Sequence, residues 1–435
     1  MKPLWLTFLA AVIVCGDALV FVAQAADEAR DKASVQIVPP EADGAKYWPR
    51  WRGPSGQGLV SGADYPDKWS DTENVLWKVD LPGAGNSSPI IWKDRIFLTT
   101  AYDNGKRRSI LCLNRDDGKL VWEAFAPDAK PEPCKDKNGH ASGTPTTDGE
   151  RVYAYFGNHG LLCVDFAGKQ VWHKSYPDMD AYHGTSCSPL LYKDRVIVFQ
   201  DHRSAWGSFA AAYDKKTGQE LWKVARKEKV GWGSPIAIQA GDHDEIIVSS
   251  EYTVYAYDPA NGNVLWTCGG NLVEVTPTPV VGHGLLYCCS GRVGPTLAIK
   301  PGGKGDVSKT NVAWSVNTGS PFIPSPLVYG DYLYTVNDIL SVGRCFDAKT
   351  GKVMWQERLG PVTKHGFSAS PIGVDGKVFF TNDQGDTFVL AAVGDFKLVH
   401  VNKLKATTLA SPALLEGKWY FRTDKQLLCI GKPKG

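Results

Sequence analysis

The stretch AYDKKTGQELW, residues 212–222, contains the pattern that decides the fold, because variants of it recur along the whole chain. Its Asp can accept hydrogen bonds from backbone amides and its Gly tolerates left-handed backbone angles, so the two suit a tight turn between β-strands. A tryptophan closes the unit. The stretch therefore predicts a β-hairpin that is used many times.

Two landmarks alternate along the chain. A Ser-Pro or Thr-Pro pair opens an apolar strand and begins at Ser88, Thr144, Ser188, Ser234, Thr278, Ser325, Ser370 and Ser411. The closing tryptophans are Trp77, Trp122, Trp172, Trp222, Trp266, Trp314 and Trp355, with His400 where the next one is due. Both series recur every ~40–55 residues, the length of a four-stranded propeller blade. The sequence predicts an all-β, eight-bladed β-propeller of antiparallel blades, in which the tryptophans dock between blades.

The ends of the chain predict how the ring closes. The first tryptophan, Trp77, precedes the first Ser-Pro pair, and the final repeat ends in QLLCIGKPKG without a tryptophan. The N-terminal strand is therefore expected to complete the last blade, which removes open sheet edges. We expect a signal peptide over 1–25, an irregular N-terminal segment and strap over 26–70, and the propeller over 71–435.

The first 25 residues have the features of an export signal. Lys2 precedes an apolar run that ends in Ala23-Gln24-Ala25, the small-residue pattern of a cleavage site. A retained membrane anchor is the alternative. We predict an exported protein of the periplasm or cell envelope, with no transmembrane segment after cleavage. The segment YWPRWRGPSGQG, residues 47–58, is predicted to strap its aromatic rings onto the propeller surface.

Composition excludes some partners. The 48 Lys and Arg residues nearly balance the 46 Asp and Glu residues, so the chain lacks the basic surplus of a nucleic-acid-binding protein.

Four cysteines, Cys112, Cys163, Cys345 and Cys429, occupy the position of Ala212 in the repeat, which indicates a need for small volume there. Cys134, in a long polar loop, is predicted to be the most exposed thiol. We expect a monomer.

The repeat resembles the tryptophan-docking motif Ala-x-Asp-x-x-Thr-Gly-x-x-x-Trp of the quinoprotein-dehydrogenase-like β-propellers. Ala212, Asp214, Thr217, Gly218 and Trp222 match that motif fully. The resemblance covers about residues 70–435 and implies the propeller fold. The sequence is also similar to the propeller lipoprotein of the outer-membrane barrel-assembly machinery, which has no cofactor, and to exported planctomycete-type repeat proteins.

Enzymes of the resembled family hold pyrroloquinoline quinone and calcium over the central channel, beneath long inserts and beside paired cysteines. Eight compact blades leave little of this chain for such a cover. The pair Cys288-Cys289 falls in the second strand of a blade, where neighbouring residues face opposite sides of the sheet. We therefore predict no catalytic residue, no metal site and no cofactor; quinone and calcium belong only to the enzymatic alternative.

Candidate binding residues are those that the propeller topology brings to one face. The loop that enters each first strand and the turn between the second and third strands emerge on the same side, which we call the loop face. The entering loops contribute His140, His183, Trp232, Glu274 and His365. The turns contribute His159, Asp201, His202, Arg203, Glu251, Arg292, Asn337 and Asp383. They form either an ordinary polar rim or a pocket at the channel mouth.

Two functions from different classes remain open at this point. The preferred hypothesis is an exported, non-catalytic scaffold that binds a protein or peptide partner on its loop face, in assembly of the envelope or of outer-membrane proteins. The alternative is a periplasmic quinoprotein-type oxidoreductase that acts on alcohols or sugars. Because fold alone does not transfer activity, the choice depends on the site.

Overall fold

The computed structural model describes residues 35–62, 64–135, 137–179, 181, 183–204, 207–229, 231–292, 294–363 and 366–433. The predicted signal peptide lies outside these residues. They form eight sheets that radiate around a central channel, so the predicted eight-bladed, all-β propeller is confirmed. Within the described ranges, no helix is long and apolar enough to cross a membrane.

Each blade is a four-stranded antiparallel sheet whose first strand lies nearest the channel. The strands of blade 1 are Ile90–Trp92, Arg95–Tyr102, Arg107–Asn114 and Leu120–Phe125. Blade 2 contains Thr146–Thr147, Arg151–Tyr155, Leu161–Asp165 and Gln170–Lys174. Blade 3 contains Leu190–Tyr192, Arg195–Gln200, Phe209–Asp214 and Glu220–Ala225. Blade 4 contains Ile236–Ala240, His243–Ser249, Thr253–Tyr257 and Val264–Gly269.

The second half of the ring repeats this order. Blade 5 contains Val280–Gly282, Leu285–Cys289, Thr296–Ile299 and Val312–Val316. Blade 6 contains Leu327–Tyr329, Tyr332–Asn337, Val342–Asp347 and Val353–Arg358. Blade 7 contains Ile372–Val374, Lys377–Thr381, Asp386–Ala391 and Leu398–Lys403. Blade 8 contains Ala413–Leu415, Lys418–Arg422, Gln426–Ile430 and Val75–Asp80.

A few short elements lie outside this scheme. Gln36–Ile37 pairs antiparallel with the first strand of blade 4, and Gly305–Asp306 pairs parallel with its last strand. The described 3-10 helices are Ala42–Lys46, Asp103–Gly105 and Gly157–His159. Blade 4 therefore has an extra strand on each edge.

Closure of the ring follows the sequence prediction. Val75–Asp80 is the outermost strand of blade 8 and pairs antiparallel with Gln426–Ile430, so that Trp77 lies opposite Cys429. Residues from the two ends of the chain thus share one sheet. The N-terminal strand completes the last blade, and the ring has no unpaired strand at its junction.

The small-residue position of the repeat has a direct structural cause. Ala212 lies opposite Trp222 in the ladder between the third and fourth strands of blade 3, and Leu221 is the extra residue of a β-bulge beside that pair. Cys112 and Cys345 lie opposite Trp122 and Trp355 in the same way. These small side chains are fully buried, because the neighbouring indole fills the space around them.

The indole of Trp222 also contacts the hairpin turn of the following blade. The indole N–H of Trp222 donates to the carbonyl of Pro259 at 3.0 Å, and a Cβ on Gly262 would lie 2.7 Å from the same ring. Gly262 has a φ of +76°, so the turn needs glycine for its backbone as well as for its contact with the indole. Trp122, Trp172 and Trp314 make the corresponding hydrogen bond to the next blade.

The seam between blades 7 and 8 is built differently. His400 stands at the tryptophan position, and its Nε2 lies 2.6 Å from the carbonyl oxygen of Asp67. Trp69, which is buried, packs against Phe379 of blade 7 and Trp419 of blade 8. The N-terminal segment therefore supplies the large aromatic side chain that the repeat itself lacks there.

Candidate functional site

A cavity opens on the loop face at the mouth of the central channel. Its volume is about 470 Å³, within the ~300–1,000 Å³ range of ligand pockets. Loops from all eight blades line it, and its apolar wall includes Trp232, Phe322, Ile323 and Ile339. We call this cavity the mouth.

A ring of hydroxyl groups surrounds the mouth. In seven of the eight Ser-Pro or Thr-Pro pairs, the Ser or Thr hydroxyl accepts the backbone N–H of the equivalent residue in the preceding blade, at 2.9–3.0 Å. We call these residues the hydroxyl girdle: Ser88, Thr144, Ser188, Ser234, Thr278, Ser325, Ser370 and Ser411. All of them except Ser325 line the mouth. The Ser-Pro and Thr-Pro pairs that recur in the sequence thus join neighbouring blades around the channel through these hydrogen bonds.

The floor of the mouth comes from the N-terminal strap. Trp51 lines the mouth and also a small space of about 40 Å³ further along the channel, so its ring separates the two. The sequence predicted that this segment lies on the propeller surface, and the structure corrects that expectation. Trp48 is buried against blade 1, where it bridges to Ile91, and Gln57 accepts the backbone N–H of Val281 in blade 5.

Arg52 fixes the strap inside the channel. Its side chain is buried, and Nη2 donates to the carbonyl of Pro326 at 2.8 Å. The same Nη2 lies 3.5 Å from the carbonyl of Pro371, so Arg52 joins the residues that precede the first strands of blades 6 and 7. Burial lowers the pKa of Arg52 to about 9. The strap therefore closes the channel below the mouth by filling it.

Three of the predicted binding residues line the mouth: His183, Trp232 and Arg292. The His183 and Trp232 rings meet edge to face, with 5.7 Å between centroids, and the indole N–H of Trp232 donates to the carbonyl of Gly184. Arg292 forms an ion pair with Glu274, another predicted residue, which lies beside the mouth. His365 lies outside the described residues.

Other predicted residues form structural ion pairs instead. Asp201 is buried and accepts from Arg226 Nε at 2.7 Å, and the same guanidinium donates to Ser250. His202 is buried beside it, with Nε2 3.0 Å from Gln200 Nε2. A carboxylate that is buried and paired in this way has little capacity left for a ligand. Asp201 and His202 do not line the mouth.

His140 and His159 lie around a second buried ion pair. Arg108 and Glu132 form two hydrogen bonds, at 2.9 and 2.7 Å, and Arg108 Nη2 lies 3.1 Å from His140 Nδ1. Because Arg can only donate, His140 accepts through Nδ1 and is neutral. Burial and the Arg108 charge lower the pKa of His140. His159 is buried and contacts the carbonyl of Lys106 through Nε2.

Asp383 takes part in an ion pair next to the mouth. Its carboxylate is fully buried and accepts from Lys137 Nζ at 2.7 Å, which joins the turn of blade 7 to the loop before blade 2. Burial raises the pKa of Asp383, and Lys137 acts against that rise. Asn337 is also buried, and its side chain bonds the backbone of Ser320 and Leu340. Glu251 is half-buried and Arg203 is exposed, and neither lines the mouth.

Sequence reasoning missed several residues of the mouth. Lys135, Lys137 and Asn138 come from the loop after blade 1, and only its unusual length marked it in the sequence. Asp338 directly follows the predicted Asn337, and its Oδ1 accepts the backbone N–H of Phe322 at 2.8 Å. Burial raises its pKa, against the effect of those backbone hydrogen bonds. The signals that could have found these residues were the length of the loop after blade 1 and the position of Asp338 one residue after Asn337.

The side chains of the mouth do not match a calcium-quinone centre. Among the described residues, no group of three or more His, Cys, Asp or Glu side chains could hold a metal ion. Cys288 and Cys289 are fully buried in a strand of blade 5 and do not line the mouth. Burial raises the pKa of Cys289 to about 11, so this thiol stays protonated at neutral pH.

Comparison with known proteins gives a family. A family model described as outer membrane protein assembly factor BamB matches residues 106–344 and 339–430. The chain belongs to this family. A search of the curated proteins gives no match.

Solved structures with the same fold have diverse roles. BamB from Moraxella catarrhalis aligns over 83% of this chain and 98% of its own, with 14% identity and a TM-score of 0.60. The quinohemoprotein alcohol dehydrogenase ADHIIG from Pseudomonas putida HK5 aligns over 90% and 81%, with 12% identity and a TM-score of 0.60. The computationally designed Ika8 protein aligns over 82% and 99%, with 10% identity and a TM-score of 0.58. Identities this low show a shared fold only.

Proposed function

We propose that this protein is a non-catalytic scaffold of the cell envelope, which binds an extended segment of a partner protein in the mouth. The observation that carries the proposal is the shape of this cavity. It is open on the loop face, closed below by Trp51, and formed by loops from all eight blades. A partner segment there would contact a rigid ring, so the propeller itself would lose little conformational entropy on binding.

The family and the sequence support an envelope role. The matching family model carries the description of an outer membrane protein assembly factor. The first residues resemble an export signal, and export would bring the propeller to the compartment in which such factors act. We propose that the partner is an envelope or outer-membrane protein during its assembly.

Two features weigh against a quinone-dependent oxidoreductase. The carboxylates around the mouth are already engaged: Asp383 is paired with Lys137, and Asp338 accepts backbone amides. The vicinal cysteines lie inside a sheet instead of at the channel mouth. Incubation with pyrroloquinoline quinone and calcium is expected to give no saturable change in quinone absorbance; saturable binding with dye-linked alcohol oxidation would favour the enzyme.

Site-specific photocrosslinking in the native envelope tests the scaffold proposal. A photoreactive residue at Ile339, an exposed side chain of the mouth, is expected to give one reproducible partner adduct. The matched control is Asp375, an exposed residue in a turn on the opposite face, which should give none. A Thr276→Trp variant, which places an indole in the mouth without breaking a side-chain hydrogen bond, should abolish the adduct. Equal adducts at both positions, or an adduct that survives Thr276→Trp, would refute binding in the mouth.

A further inference from the structure

The hydroxyl girdle presents hydrogen-bond donors to the mouth. Seven of its oxygens already accept a backbone N–H from the neighbouring blade. Within the part of the chain that the structure describes, none of these seven hydroxyls donates to a protein acceptor. A hydroxyl that has accepted a strong donor still has one O–H to give. Each of these seven hydroxyls therefore keeps one O–H that a ligand can accept, and six of the seven line the mouth.

The charged side chains of the mouth favour the same kind of ligand. Three cationic residues, Lys135, Lys137 and Arg292, line it; Lys137 is paired with Asp383 and Arg292 with Glu274, and the described carboxylate among the lining residues is Asp338. That carboxylate points its Oδ1 at two backbone amides of the loop before blade 6. Hydroxyl and cationic donors around one cavity suit an anionic acceptor, and such charge-assisted hydrogen bonds are about twice as strong as neutral ones.

The shape of the mouth restricts which part of a polypeptide can reach the girdle. Trp51 lies at the level of the girdle, since Ser188, Ser234 and Thr278 line the spaces on both sides of its ring. A chain cannot thread past this closed floor. A volume of about 470 Å³ has room for a few residues of a single extended chain. The part of a single extended chain that reaches this floor is therefore its terminus.

We infer that the mouth binds the C-terminal carboxylate of a partner polypeptide, with the hydroxyl girdle as its donor set and an apolar last side chain against Trp51 and Phe322. This inference rests on the proposed function and specifies the chemistry of the partner at the same site. Capture of a chain-terminal carboxylate by converging donors is a general mode of peptide recognition. Here the donors are side-chain hydroxyls that the repeat places once in every blade.

Fluorescence anisotropy with labelled peptides tests the inference on the mature chain. The probe is the hexapeptide Gly-Ser-Val-Thr-Leu-Phe with an N-terminal fluorophore and a free C-terminal carboxylate. The second peptide is its C-terminal amide, and the third is an amide in which Glu replaces Leu. The free acid is expected to bind at least about tenfold more tightly than either amide, a difference of ~1.4 kcal/mol.

Variants of the girdle separate binding from folding. Ser188→Ala combined with Ser234→Ala removes two donors from the mouth and is expected to lower affinity for the free acid about tenfold while leaving the amide little changed. Ser325→Ala is the matched control, because Ser325 accepts an equivalent backbone N–H at 2.9 Å but does not line the mouth. It should leave both affinities unchanged. If the double variant does not fold, Arg292→Gln, on a half-exposed side chain, should weaken the free acid selectively.

The outcomes distinguish the two proposals. Equal binding of acid and amide, or full recovery of affinity by the internal Glu, overturns carboxyl-terminal recognition. If that occurs while the Ile339 crosslink still forms, the scaffold role stands and the inference fails. Loss of both the crosslink and all peptide binding overturns the proposed function itself.

Discussion

Replacement of Trp222 by Ala tests whether the indoles hold neighbouring blades together. The Trp222 side chain is only 8% exposed, packs in the cluster around blades 3 and 4, and donates to the Pro259 carbonyl at 3.0 Å. Loss of a large buried aromatic costs ~3–5 kcal/mol in core positions. Of this total, the hydrogen bond accounts for ~1 kcal/mol. We expect a loss of unfolding free energy in that range.

Equilibrium denaturation by urea, followed by tryptophan fluorescence and circular dichroism, measures this loss when both probes report a single transition. Trp222→Phe separates the contributions, because it retains an aromatic ring but leaves the Pro259 carbonyl without its donor. It should cost less than Trp222→Ala. Trp122→Ala, at a half-buried indole with the same type of hydrogen bond, is the positional control and should cost less too. A loss below ~1 kcal/mol for Trp222→Ala would refute the wedge role, since surface substitutions fall in that range.

Three further predictions concern closure, pH and thiol reactivity. A chain that starts at residue 81 lacks Val75–Asp80 and the strap, so blade 8 has an unpaired edge strand. Size-exclusion chromatography should show that this shorter chain associates, and it should melt at a lower temperature. A monomer as stable as the longer chain would contradict the closure of the ring by Val75–Asp80. Burial and Arg108 lower the pKa of His140 below 6.5, so the unfolded chain binds a proton at this residue more readily than the folded protein does. The contribution of His140 to the free energy of unfolding is complete above about pH 6.5 and is lost as the pH falls. His140→Asn should therefore flatten the profile of unfolding free energy between about pH 7 and 5, and an unchanged slope would count against this prediction. Cys134 is the one half-exposed thiol among the described cysteines, so a thiol reagent should label it first in the native protein, and Cys134→Ser should remove that fast phase.

The fold and its closure could be predicted because both depend on local, repeated patterns. A turn with Asp and Gly, a tryptophan and a Ser-Pro pair recur at blade length, and in several blades they make equivalent contacts with the next blade, as Trp222 and Ser188 do. A small residue opposite each indole follows from the same ladder, which is why Ala212 and Cys112 share one position. The strands and turns of one repeat therefore predict those of the other repeats.

The candidate site depended on tertiary structure. Topology alone placed thirteen polar or aromatic residues on the loop face, yet it could not tell His183, which lines the mouth, from Asp201, which is buried against Arg226. That distinction depends on the radius at which each loop ends and on which partner lies beside it.

The strap shows the same limit most clearly. Its sequence has no periodicity of its own, so nothing local indicates that Trp51 closes the channel and that Trp69 fills the seam beside His400. Those places exist only after eight blades have closed into a ring, because the channel and the seam are spaces between distant parts of the chain. The sequence by itself determined the blades and their order; the tertiary structure decided which residues face the space that they enclose.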